Sequence, residues 1–313
     1  MATTGNAIGS APCIVCHGRR FRLYRSIHSH LDVIPEGLDR GPDVAVTIAR
    51  CRDCGLFRLE DAASVVPDRL YAEASISYEA SLSKVREPAG DSIFSADEFD
   101  FIAGPPGRLL DLGCSSGYFL RRAQRRGWDV CGLDLDARAV AYASRELGLD
   151  VRCGALADAN FPAGWFDVVT LWGVLEHLPD PGGELRRIRE VLRDGGQLVL
   201  GVPHVRSLNR AVARFSRHDW DMFLEPGHLF HFDCETLTHL ISDAGFHYVR
   251  SGTATCAIRG KLPFWPWRVP RWERRIAALH RENMPFRSLY RQFLRGLDRL
   301  GLGDVLVAAF VKV

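Results

Sequence analysis

The sequence has no long hydrophobic run, since none of its apolar stretches approaches the ~20 residues that a membrane-spanning helix requires. Its first residues, MATTGNAIGSAP, also lack the basic start and apolar centre of a signal peptide. Neither charge is in marked excess, because the formal net charge is +2 over 313 residues. Internal repeats and low-complexity tracts are missing too. We therefore expect a globular, cytoplasmic protein, and the balanced charge argues against a nucleic acid partner.

The sequence has nine cysteines, and four of them form two close pairs. Cys13, Cys16, Cys51 and Cys54 have the spacing CxxC…CxxC. In a reducing compartment such pairs indicate a metal rather than disulfides, and four thiolates complete the closed tetrahedral site of a structural Zn²⁺. Free or redox-active cysteines are the alternative. We predict a small zinc-ribbon-like module over residues 1–66, built on a strand hairpin with an insertion.

Short apolar runs alternate with amphipathic helical stretches from residue 101 onward, a pattern typical of an α/β fold with a parallel sheet. Residues 67–100 form a polar, helix-prone linker that we expect to cover a ligand. The predicted strands are 108–113, 129–135, 151–154, 166–172, 196–203, 248–254 and 304–313. Helices are expected over 118–126, 137–147, about 183–193 and 233–244. The second domain thus covers 101–313, with insertions at about 204–233 and 256–302.

The run LLDLGCSSGYFL (109–120) has the features of a nucleoside-binding loop. A buried strand leads to Asp111, and Gly113 and Gly117 let the backbone turn tightly and approach a ligand. The following helix points its N-terminal N–H groups at the same place. Asp134 ends the next strand about 20 residues later, the spacing at which a carboxylate meets the ribose hydroxyls. The alternative is a plain strand–turn–helix connection.

The same run argues against a dinucleotide, because Ser115 and Tyr118 stand where the pattern GxGxxG requires glycine. It resembles instead the first motif of class I S-adenosylmethionine-dependent methyltransferases, in which the commonest form has glycine at the position of Ser115. Later segments resemble this family in the expected order. These segments are 130–136, 154–181, 192–204 and 228–246. The resemblance covers roughly 101–255 and the last strand, and it implies a seven-stranded Rossmann-like sheet with helices on both faces.

The resemblance further implies S-adenosyl-L-methionine as the methyl donor and S-adenosyl-L-homocysteine as the product. Asp134 would bind the ribose. Ala155 stands where relatives often have an aspartate for the adenine, which leaves the adenine to backbone groups near Leu156. The predicted cofactor-binding residues are Tyr78, Asp111, Gly113, Cys114, Gly117, Asp134, Leu135, Ala155, Leu156, Trp172, Gly173 and His177. Trp172 could instead pack the sheet edge, and Glu176 and His177 could instead position their loop.

Methyl transfer is an in-line displacement that needs an aligned nucleophile and a base for its proton, and histidine is the usual base near neutral pH. His228 and His231 lie in LEPGHLFHF, within the insertion after the fifth strand and at the expected carboxyl edge of the sheet. His204 directly follows that strand. We predict His228 as the general base, with His231 and His204 as further candidates. Hydrogen bonding within the loop is the alternative role.

The segment 261–281, KLPFWPWRVPRWERRIAALHR, combines three tryptophans with many arginines, and the basic character continues to residue 299. Residues 261–299 could form a lid, an amphipathic helix on an anionic membrane surface, or a contact with an anionic, phosphorylated substrate. Charge runs usually face water, so a solvated arginine-rich helix is the simplest interpretation.

The predicted acceptor is a small molecule, namely a sugar, a nucleotide-linked sugar or a natural-product intermediate. The paired cysteines support this choice, because such a module resembles the one that precedes the methyltransferase domain in enzymes acting on nucleotide-linked deoxysugars. An RNA methyltransferase is the second hypothesis, since ribosomal RNA guanine methylators also carry a zinc module and arginines stand at 19, 20, 22 and 25. A non-catalytic, S-adenosylmethionine-binding regulator is the third. The sequence leaves open the choice among O-, N- and C-methylation and the oligomeric state.

Overall fold

A computed structural model of the chain describes residues 11–29, 44–60, 97–215, 220–224, 227–255 and 284–313. Tyr78, most of the predicted linker and the tryptophan-rich segment 261–281 lie outside the described residues, so the predictions made for them stay predictions.

Seven strands form the main sheet. They are β4 (Arg108–Leu112), β5 (Asp129–Asp134), β6 (Asp150–Cys153), β7 (Phe166–Trp172), β8 (Leu192–Pro203), β10 (Phe246–Ala254) and β11 (Val305–Lys312). Their order in the sheet is β10-β11-β8-β7-β4-β5-β6. Strands β4 to β8 pair in parallel, whereas β11 runs antiparallel to both β8 and β10. The predicted seven-stranded Rossmann-like sheet is confirmed.

The described helices are α1 (Tyr118–Arg125), α2 (Ala137–Leu147), α3 (Pro181–Val191), α4 (Leu208–Phe215), α5 (Asp221–Leu224), α6 (Cys234–Asp243) and α7 (Met284–Arg299). Helix α3 begins two residues before its predicted start, because Asp180 accepts a hydrogen bond from the Gly183 amide at 2.9 Å and Pro181 suits the first turn. None of the helices in the described ranges is long and apolar enough to cross a bilayer.

Helices cover both faces of the main sheet, as the alternation of side chains along β4 shows. Leu109 packs in a core with Phe119, Leu120 and Ala123 of α1, whereas Leu110 belongs to a second core that contains residues of α3 and α6. Successive strand residues point to opposite faces. The long apolar runs of these strands are therefore buried from two sides, which is why they show no alternation in the sequence.

The N-terminal residues and one later segment form a second, antiparallel sheet of four strands. Strands β1 (Phe21–Ser29) and β2 (Val44–Cys51) make the predicted hairpin, and β3 (Phe57–Glu60) follows the second cysteine pair. The fourth strand, β9 (Phe230–His231), comes from the insertion after β8. This pairing was not predicted, and it places the N-terminal sheet directly against the segment that carries His228 and His231.

Candidate active site

The loop between β4 and α1 has the backbone conformation that its two glycines allow. Gly113 has φ 71° and Gly117 has φ 80°, both in the left-handed region that favours glycine. A side chain at Gly113 would also collide with Val174, and one at Gly117 would collide with Leu149. Gly113 is exposed, so the loop presents bare backbone at the carboxyl edge of the sheet. Ligands of open α/β sheets bind at this edge.

Ser115 replaces the usual middle glycine of this loop and takes a left-handed conformation as well, with φ 47°. Its amide donates a hydrogen bond to Asp134 Oδ2 at 2.7 Å. The other carboxylate oxygen of Asp134 accepts from the Asp136 amide at 2.8 Å. These two bonds fix the carboxylate at the end of β5, directly beside the glycine loop. Cys114, one residue before Ser115, is buried beneath the loop.

The residues around Asp134 fit a ribose and an adenine. A carboxylate offers about four lone pairs, so two remain for the paired hydroxyls of a ribose. Leu135, the next residue, is 57% exposed and offers an apolar surface on which a base can rest. Ala155 is exposed and Leu156 is buried in the turn after β6, across from Asp134. Burial raises the pKa of Asp134, although its backbone hydrogen bonds oppose that rise.

Asp111 lies inside the sheet rather than on its open edge. Its Oδ1 accepts a hydrogen bond from Thr170 Oγ1 of β7 at 2.7 Å. Burial raises the pKa of Asp111 to about 8, and the nearby Asp134 and Glu98 add to the rise. The side chain is therefore mostly protonated at neutral pH and connects β4 with β7. Its predicted contact with the cofactor stays a prediction.

A buried ion pair beside the loop was missed at the sequence level. Arg122 of α1 donates to Glu98 at 2.5 Å and to Asp97 at 2.8 Å. The two acids stand at the start of a 3₁₀ turn, Glu98–Phe101, that packs over α1. Only the position of Arg122 on the buried side of a predicted helix could have signalled this pair, because Arg is rarely buried without a partner.

Trp172 and Gly173 stand at the end of β7, next to the glycine loop. The indole of Trp172 packs against Phe119 at a ring distance of 5.4 Å and lies against Gly201 of β8. The packing role that the sequence left open for Trp172 is thus present, while its contact with the cofactor stays a prediction. Gly173 is exposed, and the following Val174 contacts Gly113. The turn after β7 therefore adjoins the glycine loop.

Three side chains meet immediately after this turn. One ligand-type atom from each of Glu176, His177 and His228 lies within 4.8 Å of the others, and the two imidazole rings are 4.7 Å apart. His177 Nδ1 donates to the Gly227 carbonyl at 2.7 Å, and His228 Nδ1 donates to the Met222 carbonyl at 3.0 Å. Because Nδ1 of His228 carries the hydrogen, its Nε2 carries a lone pair. The set could hold a metal ion or handle a proton.

Burial keeps all three groups uncharged. It raises the pKa of Glu176 to about 8 and lowers the pKa of His228 to about 3, and His177 adds to the second shift. The pKa of His177 is also lowered by burial. Such opposed shifts of a neighbouring acid and base are common at functional sites. Glu176 Oε2 has no hydrogen-bond partner among the described residues, so this acid has spare capacity for a ligand.

The other two predicted histidines lie apart from this group. The His231 ring is 6.0 Å from that of His228 and packs edge-on against Phe223 at 4.7 Å. Within the described part of the chain, neither of its ring nitrogens has a hydrogen-bond partner. His204 is buried, and its Nδ1 donates to the Gly303 carbonyl at 3.2 Å. The structure thus brings His228 and His177 together. His231 lies beside His228 without a polar contact to it, and His204 packs against the residues just before β11.

The four N-terminal cysteines converge as their spacing predicts. Sγ of Cys13 is 3.5 Å from that of Cys54, Sγ of Cys16 is 3.6 Å from that of Cys51, and all four lie within 4.8 Å of one another. A tetrahedral Zn²⁺ with ~2.3 Å bonds requires sulfurs about 3.8 Å apart, so the group fits this ion. The hydrogen bond between Cys13 and Cys54 lowers the pKa of Cys13 and raises that of Cys54, so the two sulfurs share a proton that a bound metal would displace.

Comparison with known proteins agrees with this geometry. Residues 92–251, just over half of the chain, match the methyltransferase domain family. The ubiquinone biosynthesis O-methyltransferase of Xanthomonas axonopodis pv. citri is 37% identical over 115 residues, which are 35% of this chain and 46% of that protein. The enzyme of the same name from Alkalilimnicola ehrlichii is 28% identical over 146 residues, 39% of this chain and 56% of that protein. The chain thus spans about half the length of these curated relatives.

Solved structures show the same fold. A S-adenosylmethionine-dependent methyltransferase of Thermotoga maritima has a TM-score of 0.52 at 16% identity, covering 78% of this chain and 99% of that chain. Phosphoethanolamine N-methyltransferase 2 of Haemonchus contortus, in complex with S-adenosyl-L-methionine, has a TM-score of 0.51 at 16% identity. The match covers 79% of this chain and 58% of that chain. At these identities the likeness concerns the fold alone. By its matched domain and its sheet, the chain belongs to the methyltransferase domain family, and the predicted class I S-adenosylmethionine-dependent type is confirmed.

Proposed function

We propose that the protein transfers a methyl group from S-adenosyl-L-methionine to a small-molecule acceptor and releases S-adenosyl-L-homocysteine. The carrying observation is the Asp134 carboxylate, fixed by the Ser115 and Asp136 amides beside the exposed Gly113. This arrangement supports a ribose at Asp134, an adenine over Leu135 and near Leu156, and a methionine tail along Gly113 and Gly173. S-adenosyl-L-methionine supplies a methyl group on a sulfonium centre, which is already a good leaving group.

The acceptor is proposed to bind beside Glu176, His177 and His228. This place is supported by the contact between Val174 and Gly113, which puts the turn before Glu176 against the cofactor loop. As the acceptor forms its bond to the methyl carbon, the bond from that carbon to sulfur breaks and the electron pair stays on sulfur. The chain's task is therefore to hold the acceptor in line and to remove its proton.

His228 is the proposed base. Its Nδ1 hydrogen is committed to the Met222 carbonyl, so the acceptor's proton would pass to Nε2. The low pKa of His228 keeps the imidazole unprotonated but also makes it a weak base, so the proposed role requires its pKa to rise toward neutrality when the acceptor is bound. Glu176, protonated at neutral pH, would donate a hydrogen bond to the acceptor. His231 and His204 would support the walls of the site rather than contact the reacting atoms.

The proposed acceptor group is a hydroxyl oxygen, on a sugar, a nucleotide-linked sugar or a natural-product intermediate. The named relatives support oxygen, since they are O-methyltransferases. We also propose a structural Zn²⁺ at Cys13, Cys16, Cys51 and Cys54, which would stabilise the N-terminal sheet.

The test combines binding and turnover on the full chain. Isothermal titration with S-adenosyl-L-methionine should show saturable binding, and mass spectrometry should detect methyl transfer to hydroxylated sugars or phenols. The His228→Ala variant should keep its cofactor affinity and lose turnover, whereas the matched variant His239→Ala, exposed on α6, should keep both. Full turnover by His228→Ala would remove His228 as the base, and absence of cofactor binding would overturn the proposed function.

A further inference from the structure

A cavity of about 350 Å³ lies outside the site described above, between the N-terminal sheet and helix α4. Half of its ten described lining residues are arginines: Arg22, Arg50, Arg206, Arg210 and Arg214. They come from three separate parts of the chain, namely β1, β2 and residues 206–214, which include most of α4. The only acid among these ten residues is Asp233.

The charges of this cavity do not balance. Asp233 accepts a hydrogen bond from Arg206 at 3.0 Å and also caps α6 through the Thr236 amide at 2.9 Å. The other four guanidinium groups have no carboxylate within salt-bridge distance among the described residues. Four like charges around one partly enclosed space repel one another unless an anion joins them.

Arg210 is the most restricted of the four. Its Nη1 donates to the Val205 carbonyl at 2.7 Å and its Nη2 donates to the Tyr24 hydroxyl at 3.2 Å, while its Nε is buried without a partner. The guanidinium lies near the rings of Tyr24, Phe57 and Phe223, at 5.7, 4.9 and 5.8 Å. Burial lowers the pKa of Arg210, and the charges of Arg214 and Arg50 add to that effect. The two hydrogen bonds hold this guanidinium in place before any ligand binds, and a bound anion would offset the cost of its burial.

We propose that this cavity binds the phosphate or diphosphate group of a small molecule. Guanidinium groups match phosphate oxygens in planar, two-point hydrogen bonds, and a phosphate has more acceptor oxygens than a carboxylate with which to join several of them. The volume lies within the usual range of small-molecule sites, about 300 to 1,000 Å³. Tyr24 and Phe57 add an aromatic wall on which a ring of the same ligand can pack.

The cavity adjoins the proposed acceptor site. Phe57, which lines the cavity, is 5.7 Å from Phe223, and Phe223 is 4.7 Å from His231. Asp233 lines the cavity two residues after His231. One layer of rings therefore separates the arginines from the histidines. If the proposed function is correct, the phosphate belongs to the acceptor itself or to a second ligand that holds this wall in place.

The test uses the full chain without a methyl donor, so that its outcome does not depend on the proposed function. Inorganic pyrophosphate and uridine diphosphate are titrated calorimetrically at constant ionic strength. We expect saturable binding to the wild type, weakened about tenfold for each arginine lost in Arg214→Gln and Arg210→Gln. Arg145→Gln, exposed on α2, is the matched control and should bind as the wild type does. If Arg210→Gln does not fold, the test relies on the variants of the two exposed arginines, Arg22→Gln and Arg214→Gln.

The possible outcomes separate the interpretations. Equal binding by the wild type and the arginine variants, or no binding at millimolar pyrophosphate, would overturn the proposal. Affinity for oligoribonucleotides that rises with their length, without affinity for pyrophosphate, would also overturn it and indicate a polynucleotide surface. Pyrophosphate competition against a phosphorylated acceptor in the methyl-transfer assay would support the acceptor as the source, and binding without competition would support a second ligand.

Discussion

The Leu59 amide donates a hydrogen bond to the Leu229 carbonyl at 2.8 Å, which joins the last strand of the cysteine module to the segment that carries His228. Leu229 in turn donates its own amide to the Glu176 carbonyl at 2.8 Å. A continuous path of backbone hydrogen bonds therefore runs from the N-terminal sheet to the proposed acceptor site. We therefore expect the module to hold the segment that carries His228 in position.

Loss of the metal should therefore loosen the acceptor site and leave the cofactor loop intact. We expect Cys54→Ser, or removal of zinc by a chelator, to lower the melting temperature and to speed amide hydrogen exchange at residues 227–231, because the free energy of metal binding is also folding free energy. Cofactor affinity should change little, since Asp134 belongs to the main sheet and Gly113 directly follows a strand of that sheet. Cys153→Ser, exposed on β6, is the control. A metal-free wild type that melts and exchanges like the original protein would contradict the structural-zinc proposal.

Asp134 should dominate the affinity for the methyl donor. Replacing it by alanine removes the acceptor of the proposed ribose hydrogen bonds and frees the Ser115 amide. We expect calorimetric affinity for S-adenosyl-L-homocysteine to fall by about tenfold or more, since hydrogen bonds to charged groups contribute about 1.5 to 3 kcal/mol. Asp129→Ala changes an exposed acid at the other end of the same strand and should have no effect. Similar affinities in both variants would rule out the ribose assignment.

Ser115 offers a test of backbone strain within the cofactor loop. A non-glycine residue in the left-handed region costs about 1 to 2 kcal/mol, and a branched Cβ increases that cost. Ser115→Gly should thus keep or raise the melting temperature and the cofactor affinity, whereas Ser115→Val should lower both. Thermal unfolding and calorimetry on the pair give the answer. A valine variant as stable as the glycine variant would show that φ 47° at this position is not strained.

Most of the main sheet could be predicted from the sequence because its signals are local. Apolar runs such as LVLGV mark strands that are covered on two faces, and Gly148 and Asp233 mark helix ends through their own backbone and side-chain chemistry. The convergence of four cysteines followed from their spacing. The glycine loop was recognised because its residues are consecutive.

The parts that escaped prediction depend on contacts between distant segments. A two-residue strand such as β9 has no periodicity to detect, and its pairing with β3 joins positions about 170 residues apart. The same reason hides the Arg122–Glu98 pair and the arginines around Arg210, because composition counts charges without showing where they meet. The burial of Asp111 likewise depends on Thr170 of a neighbouring strand.

Two buried acids should make stability fall as the pH rises. The pKa of Asp111 rises on folding from 3.8 to about 8 and that of Glu176 from 4.5 to about 8, both chiefly through burial. The contribution of each acid to the free energy of unfolding is fully present below its unfolded-state pKa. It is lost as the pH rises toward 8, at about 1.4 kcal/mol per pH unit for each acid. The four histidines whose pKa is lowered by burial oppose this slope only partly between pH 7 and 8, because an unfolded-state pKa near 6.5 leaves at most about a quarter of each protonated there. Denaturant unfolding of the wild type should thus show a free energy of unfolding that falls between pH 7 and 8.

The variant Glu176→Gln should remove part of this pH dependence, and the variant of the exposed Glu146, Glu146→Gln, should not. An unchanged slope in Glu176→Gln would mean that Glu176 is already ionised in the folded protein, and it could then not donate the proposed hydrogen bond to the acceptor.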